Sequence, residues 1–209
     1  IGLGIDRLRA WWQKFNLDNK TLIDLPGEEK GFLPSPAWKE KNLKEPWRLG
    51  DTYNVSIGQG DLQTTPIGLL NYVSAIGNGG KLYAPRAMKR IVIKDGETLI
   101  KSEPLVLKDL SDEIKNYVAA VQKGMKDAVA KSYGTAHLLS DLPLPVAAKT
   151  GTSQIANNEK INAFFVGYAP ADNPQIAILV LIENAREGSL NAVPIAKDAI
   201  LWYYENRLK

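Results

Sequence analysis

The sequence predicts an α+β fold of the layered α/β/α kind, an antiparallel sheet covered by helices. Three observations carry this. Gln175 to Ile182 contains the continuous apolar run Ile176-Ala177-Ile178-Leu179-Val180-Leu181-Ile182, which reads as a strand buried on both faces. Asn162 to Ala169 precedes it as a second strand, joined by the turn Pro170-Ala171-Asp172-Asn173-Pro174. Several other stretches repeat apolar residues at helical spacing and supply the covering layers.

The elements follow in order. Ile5, Leu8, Trp12 and Phe15 predict an amphipathic helix over Asp6 to Phe15. Prolines and glycines punctuate the next segment, so 24–57 reads as one long ordered loop, with Trp38 and Trp47 as its packing anchors. The densest basic run, Lys39 to Lys44, is interrupted by Glu40 and reads as a solvated part of that loop. Thr65 and Pro66 form an N-cap and first helical residue, followed by an apolar face of Leu69, Leu70, Val73 and Ile76 that ends at Gly77-Asn78-Gly79-Gly80. Met88 to Ile100 reads as a hairpin around Asp95-Gly96. Ser111 begins a helix with inner residues Ile114, Val118, Val121, Met125 and Val129. Val146 to Thr152 is a short strand, and Ile195, Ala199 and Tyr203 mark a terminal helix.

Composition narrows the function. The 209 residues are 44% hydrophobic and 23% charged, the balance of a globular protein with a substantial core. The net charge of +3 is spread among acidic neighbours, so no nucleic-acid partner is expected. There is no cysteine and one histidine, which excludes thiolate and histidine-rich metal sites; no cofactor or metal is implied. His137 reads as a hydrogen-bonded structural residue. No run approaches the roughly 18 apolar residues that cross a bilayer. The opening Ile1-Gly2-Leu3-Gly4-Ile5, with no initiator methionine, reads as if cut from a longer protein.

Chemistry concentrates in Val146 to Ala156, around Lys149-Thr150-Gly151-Thr152. Alternate strand residues share a face, so Lys149 and Gly151 point one way and Thr150 and Thr152 roughly the other. Gly151 lets a ligand lie against the backbone. Backbone N–H groups beyond it could bind a developing oxyanion, each such donor being worth about 3 kcal/mol in acyl transfer. The ammonium and hydroxyls suit a carboxylate. Alone, the tripeptide is common, and an edge strand with a solvated lysine accounts for it more simply. Asn54-Val55-Ser56-Ile57-Gly58 misses the nucleophile elbow by its first residue, and Gly58-Gln59-Gly60 lacks the third glycine of a dinucleotide site.

Context raises the motif above chance. Lys149-Thr150-Gly151-Thr152-Ser153-Gln154 is preceded by Gly134-Thr135-Ala136-His137, Asn78-Gly79-Gly80, Thr65-Pro66, Gly58-Gln59-Gly60, Gly50-Asp51-Thr52, Pro46-Trp47, Trp38-Lys39-Glu40-Lys41 and Leu3-Gly4-Ile5-Asp6-Arg7-Leu8. In that order these motifs resemble class B penicillin-binding proteins along nearly the whole chain, within them the penicillin-binding protein 2 type, the elongation transpeptidase. Their active-serine signature joins S-x-x-K, S-x-N and K-T-G. This chain carries only the third in its place: no S-x-x-K occurs, and Ser189-Leu190-Asn191 follows K-T-G instead of preceding it, so Ser189 reads as a loop residue capping the terminal helix. The nucleophile and second motif are expected upstream of Ile1. The chain is then the C-terminal part, 1–209, of one transpeptidase domain and inactive alone.

The resemblance implies a D,D-transpeptidase that cross-links peptidoglycan stem peptides through an acyl-serine and is trapped by β-lactams. Lys149 would supply positive charge at the cleft. The Thr152 N–H would complete the oxyanion hole with the N–H of the upstream serine, the Thr150 and Thr152 hydroxyls would both reach a carboxylate in spite of the simple alternation, and Gly151 would permit close approach. Gln154 is a further substrate-side candidate, though it, Asp51 and His137 read more simply as structural. Implied partners are stem peptides, β-lactams, the upstream part of the same protein, a SEDS-family glycosyltransferase and other elongation-complex proteins. The implied location is the extracytoplasmic face of the bacterial inner membrane, with an upstream anchor. The alternatives are a non-catalytic penicillin-recognition or sensor module and a serine β-lactamase or carboxypeptidase relative.

Overall fold

The computed structural model describes residues 2–155, 160–185 and 188–209. Ile1 and Ala156, which end two of the stretches quoted above, lie outside the described residues. The chain divides into two compact units, residues 1–72 with 81–110, and 73–80 with 111–209.

The first unit opens with α1, Gly4–Lys14, where periodicity predicted a helix. Asp6 in its first turn and Lys14 in its last both complement the helix dipole. At its end the Phe15 ring meets Tyr72 edge-on, with centroids 4.8 Å apart. Arg9 reaches from α1 to the carbonyls of Leu33 and Pro34, at 3.0 and 2.8 Å.

The segment 24–57 is not one loop. It contains α2, Pro36–Leu43, and α3, Leu49–Ser56. The local chemistry explains α2: Ser35 Oγ accepts the Trp38 N–H at 3.1 Å, Pro36 stands at the first turn, and Lys44 ends the helix in a left-handed conformation at φ 59°. The predicted anchors hold. Trp38 packs edge-on against Phe32 at 4.8 Å, and the half-buried Trp47 donates its indole N–H to Thr52 Oγ1 at 2.9 Å.

The reading of Lys39 to Lys44 as a solvated loop is also corrected. Lys39 is only 7% exposed. Its ammonium donates to both Asp51 carboxylate oxygens, at 2.9 and 2.8 Å, with Glu45 3.6 Å away. Asp51 accepts the Arg48 N–H as well, at 2.6 Å. Helix formation turns one lysine of the run inward, and α3 supplies the anion that lets its charge stay there.

In α4, Pro66–Gly77, the predicted start is realised: Thr65 Oγ1 accepts the Gly68 N–H at 3.1 Å. Its first part belongs to this unit and its last turns to the other. β1, Lys81–Tyr83, pairs antiparallel with β4, Val106–Asp109. Between them β2, Arg90–Val92, and β3, Thr98–Lys101, form the expected hairpin, whose turn residue Gly96 adopts φ 84°.

The second unit holds the main sheet, in the order β5 (Ala147–Ile155), β6 (Lys160–Ala169), β7 (Ile176–Ala185), all antiparallel. One face presents Ala148, Ala163, Phe165 and Val180 to a core completed by Val129, Leu139, Val193 and Ile200. Val129 comes from α6, Val118–Ala130, and the last two from α7, Gly188–Tyr203. The β7 run is less covered than its apolarity predicts. Only Val180 among Ile176 to Ile182 is buried, because β7 is a sheet edge and no described strand pairs beyond it.

Two further readings change. The helix expected from Ser111 onward is two pieces, α5, Ser111–Ile114, and α6, and Val121 is 44% exposed instead of facing inward. Ser189 lies in the first turn of α7, not in a loop before it.

Two outcomes follow. Phe165, with no exposed surface, is central to the second core, so Phe165→Ala should cost about 3–5 kcal/mol in a urea titration; a loss under about 1 kcal/mol would contradict this packing. The hydrogen bonds from Lys39 and then the Arg48 N–H hold the Asp51 carboxyl below its ordinary value. Its stabilising contribution is therefore complete above the ordinary carboxylate range, near 4, and lost as pH falls through the lowered value. Asp51→Asn should lower the urea midpoint at neutral pH and flatten the acid limb of stability. The double change Lys39→Met/Asp51→Leu should be milder than Asp51→Asn, since it strands no charge.

Candidate active site

The register of β5 against β6 decides which way each motif residue faces. Lys149 lies opposite Val166, Thr150 opposite Phe165, Gly151 opposite Phe164, and Thr152 opposite Ala163. Directly opposed residues share a face. Thr150 and Thr152 therefore stand on the side that carries the Phe165 core, and Lys149 and Gly151 on the other. The simple alternation read from the sequence holds.

Burial then separates the two threonines. Thr150 is 8% exposed, whereas Thr152 and Gln154 are exposed, because the cover over this face stops between positions 150 and 152. Thr150 Oγ1 donates to Thr135 Oγ1 at 2.6 Å. Lys149 is exposed, and its ammonium turns along the strand to the carbonyl of Thr150. Beyond this strand no further strand pairs among the described residues, so one backbone edge of the motif is open.

Gly151 is informative for what it lacks. A methyl group there would meet only the Phe164 Cβ, at 3.6 Å, an ordinary contact. Its backbone does not need the left-handed conformation either. Nothing in the packing of the described residues requires glycine at this position, so among them the space beside the strand is unfilled.

Thr135 is held by a strap on α6. The Gly134 N–H donates to Lys131 at 2.8 Å, the Ala136 N–H to Ala128 at 3.0 Å, and His137 Nδ1 lies 3.0 Å from the Val129 carbonyl. His137 is thus the structural residue expected from the sequence. Gly134 is required here, since an added Cβ would fall 2.2 Å from the Ala128 carbonyl oxygen. The sequence marked Gly134 to His137 as a motif but did not link Thr135 to Thr150. The two are 15 residues apart, and no periodicity joins them. Asp51 belongs to the other unit and is committed to Lys39. A groove of about 580 Å³ lined by Val129, Leu139, Leu142 and Pro143 to Val146 touches none of the four motif residues. No cluster of metal-ligating side chains occurs among the described residues.

A lysine, two hydroxyls and a glycine thus lie together on a strand whose outer side has no strand partner among the described residues. The penicillin binding protein transpeptidase domain matches residues 2–201. The chain belongs to this family. A peptidoglycan D,D-transpeptidase MrdA of Haemophilus influenzae is 35% identical over 99% of this chain and 34% of its own length. Among solved structures, Pseudomonas aeruginosa PBP2 in complex with WCK 5153 is 34% identical with a TM-score of 0.79, over 98% of this chain and 45% of that one. A Helicobacter pylori PBP2 solved with MreC is 29% identical with a TM-score of 0.82, over 99% and 37%. The mixed helix-and-sheet fold with antiparallel sheets is that of these penicillin-binding transpeptidases. The chain spans about a third of the length of the curated relatives it matches.

Removing the Thr135 hydroxyl should strand that of Thr150. Thr135→Val should cost about 0.5–1.5 kcal/mol, the net value of a part-buried hydrogen bond to an exposed partner, while Thr135→Ser should stay close to the parent in thermal unfolding. Gly134→Ala should destabilise more than either, because the clash is with backbone.

Proposed function

We propose that this chain is part of the transpeptidase domain of a penicillin-binding protein 2-type peptidoglycan D,D-transpeptidase and acts within a longer protein. The observation that carries the reading is the Lys149-to-Thr152 segment on a sheet edge without a strand partner among the described residues, with a glycine that their packing does not require.

In this reading a serine supplied by residues outside the chain attacks the penultimate D-Ala carbonyl of a stem peptide. The terminal D-Ala leaves with a proton, and the serine becomes an ester. An amine of a neighbouring stem then displaces the serine, forming the cross-link. Lys149 supplies positive charge next to the serine. The Thr152 N–H faces the oxygen that becomes negative, where a preorganised donor lowers the barrier by about 3 kcal/mol. Thr152 and Thr150 hydroxyls serve the substrate carboxylate, and Gly151 admits the substrate backbone. Gln154, exposed on the same strand, is placed to contact the donor peptide farther along. β-Lactams take the donor's place and stay on the serine.

The partners fit the same reading: stem peptides, β-lactams, the remainder of the same protein, a SEDS-family glycosyltransferase and proteins of the elongation complex. The Helicobacter pylori relative captured with MreC supports the last of these. The location proposed is the extracytoplasmic face of the bacterial inner membrane, with the anchor outside this chain. No helix among the described residues is long and apolar enough to cross a membrane.

Covalent labelling with a fluorescent penicillin tests this. The parent protein should label and the 209-residue chain alone should not. In the parent, Lys149→Ala should slow acylation by at least about 100-fold, in the range seen when one preorganised electrostatic group is removed. Labelling of the isolated chain would show that it holds its own nucleophile. Unchanged acylation in Lys149→Ala would remove that residue from the site.

A further inference from the structure

The hairpin of β2 and β3 has a surface that the transpeptidase reading leaves unexplained. It is a two-stranded sheet of its own, and both outer edges are unpaired among the described residues. Every residue from 86 to 101 is exposed. Yet Ile91, Val92, Ile93, Leu99 and Ile100 are large and apolar, with 39% to 66% of their surfaces in water. A two-stranded hairpin is marginally stable by itself, and large apolar side chains clustered in water on it point to an interaction.

The register shows what each face asks for. Ile91 lies opposite Ile100, so one face carries an apolar strip, which Ile93 extends. On the other face Arg90 lies opposite Lys101, next to Val92. Two cations directly opposed across a strand pair repel. Lys101 has Glu103 at 3.4 Å on the exposed surface, and Arg90 has no ion-pair partner among the described residues. Lys89 and Lys94 add positive charge at either end of β2. One face therefore favours apolar side chains and the other favours carboxylates.

We propose that the outer edge of β2 accepts an extended segment of an acidic partner protein as a third strand, with acidic and apolar side chains alternating along it. A strand's side chains alternate between faces, so this pattern alone satisfies both sides at once. The edge of β2 is the receptive one. The pairing irregularity between Ile91 and Val92 leaves Leu99 as the extra residue of β3, and a bulged edge is a poor template. A second copy of the chain is a poorer occupant, because it would bring another strand flanked by Lys89, Arg90 and Lys94 against this one.

The test uses the 209-residue chain and three synthetic octapeptides, alternating Glu-Val, Gln-Val and Lys-Val, followed by fluorescence anisotropy and hydrogen exchange. The Glu-Val peptide should bind about tenfold tighter than the other two, slow amide exchange at residues 90–93, and weaken as salt rises. Arg90→Gln/Lys101→Gln should lose that preference, and Arg90→Glu/Lys101→Glu should transfer it to the Lys-Val peptide. Equal binding of all three peptides, or binding unaffected by both double variants, overturns the proposal. So does hairpin protection by phosphatidylglycerol vesicles in place of the peptide, or a concentration-dependent dimer whose formation protects residues 90–93. None of these readouts depends on penicillin acylation, so they stand or fall separately from the proposed function.

Discussion

Everything at the candidate site depends on the pairing of β5 with β6. Phe165 is fully buried and lies opposite Thr150, so the core fixes the face on which Thr150 must sit. A shift of one residue would carry Phe165 into solvent and turn Lys149 into the core, and both changes are prohibitive. The ladder runs unbroken from Ala147–Tyr168 to Ile155–Lys160. The motif-bearing strand is thus held along its length by its neighbour, while its other edge has no strand partner among the described residues. A rigid inner edge and a vacant outer one are what a site needs if it is to present backbone N–H groups without reorganising them.

The first unit is organised differently. Long stretches of it have no ladder to satisfy their backbone N–H groups, and carboxylates take that role. Asp24 accepts the N–H groups of Ala87 and Met88, at 2.6 and 3.1 Å. Glu28 accepts from the N–H and the hydroxyl of Thr21 and from the Leu22 N–H. Asp51 joins Arg48 and Lys39. All three carboxyls sit below their ordinary values: Asp24 chiefly through the Ala87 N–H, Asp51 chiefly through Lys39, and Glu28 because its hydrogen bonds outweigh an opposing desolvation. Irregular backbone here is ordered by anions.

What could be read in the sequence followed periodicity and local caps. The helix from Ile5 to Phe15, the Thr65-Pro66 start, the Asp95-Gly96 turn and the last two strands all declare themselves within a few residues. The helices inside 24–57 were hidden by proline and glycine density, although Ser35-Pro36 is itself a helix-start signal. The buried Lys39 was hidden for another reason: its partner is 12 residues away on a different helix. Thr135 was beyond reach for the same cause, since a hydrogen bond between distant loops leaves no pattern in composition or spacing. K-T-G was visible at once, but its meaning came from the ordered motifs around it, and its open glycine only from the packing. The apolar run of β7 misled in degree, because hydrophobicity reports what a strand would prefer and not how many neighbours cover it.

The Thr150–Thr135 contact has a consequence for how a carboxylate could be received. A hydroxyl owns a single proton and can turn it, so the bond between Thr150 and Thr135 can run either way. If Thr150 were to donate to an arriving anion, as the proposed function has it, the more exposed Thr135 would have to donate to Thr150. The two hydroxyls would then form a short chain in which each bond polarises the next. Neither oxygen need move, so the response to charge would be a change in proton order within a fixed frame.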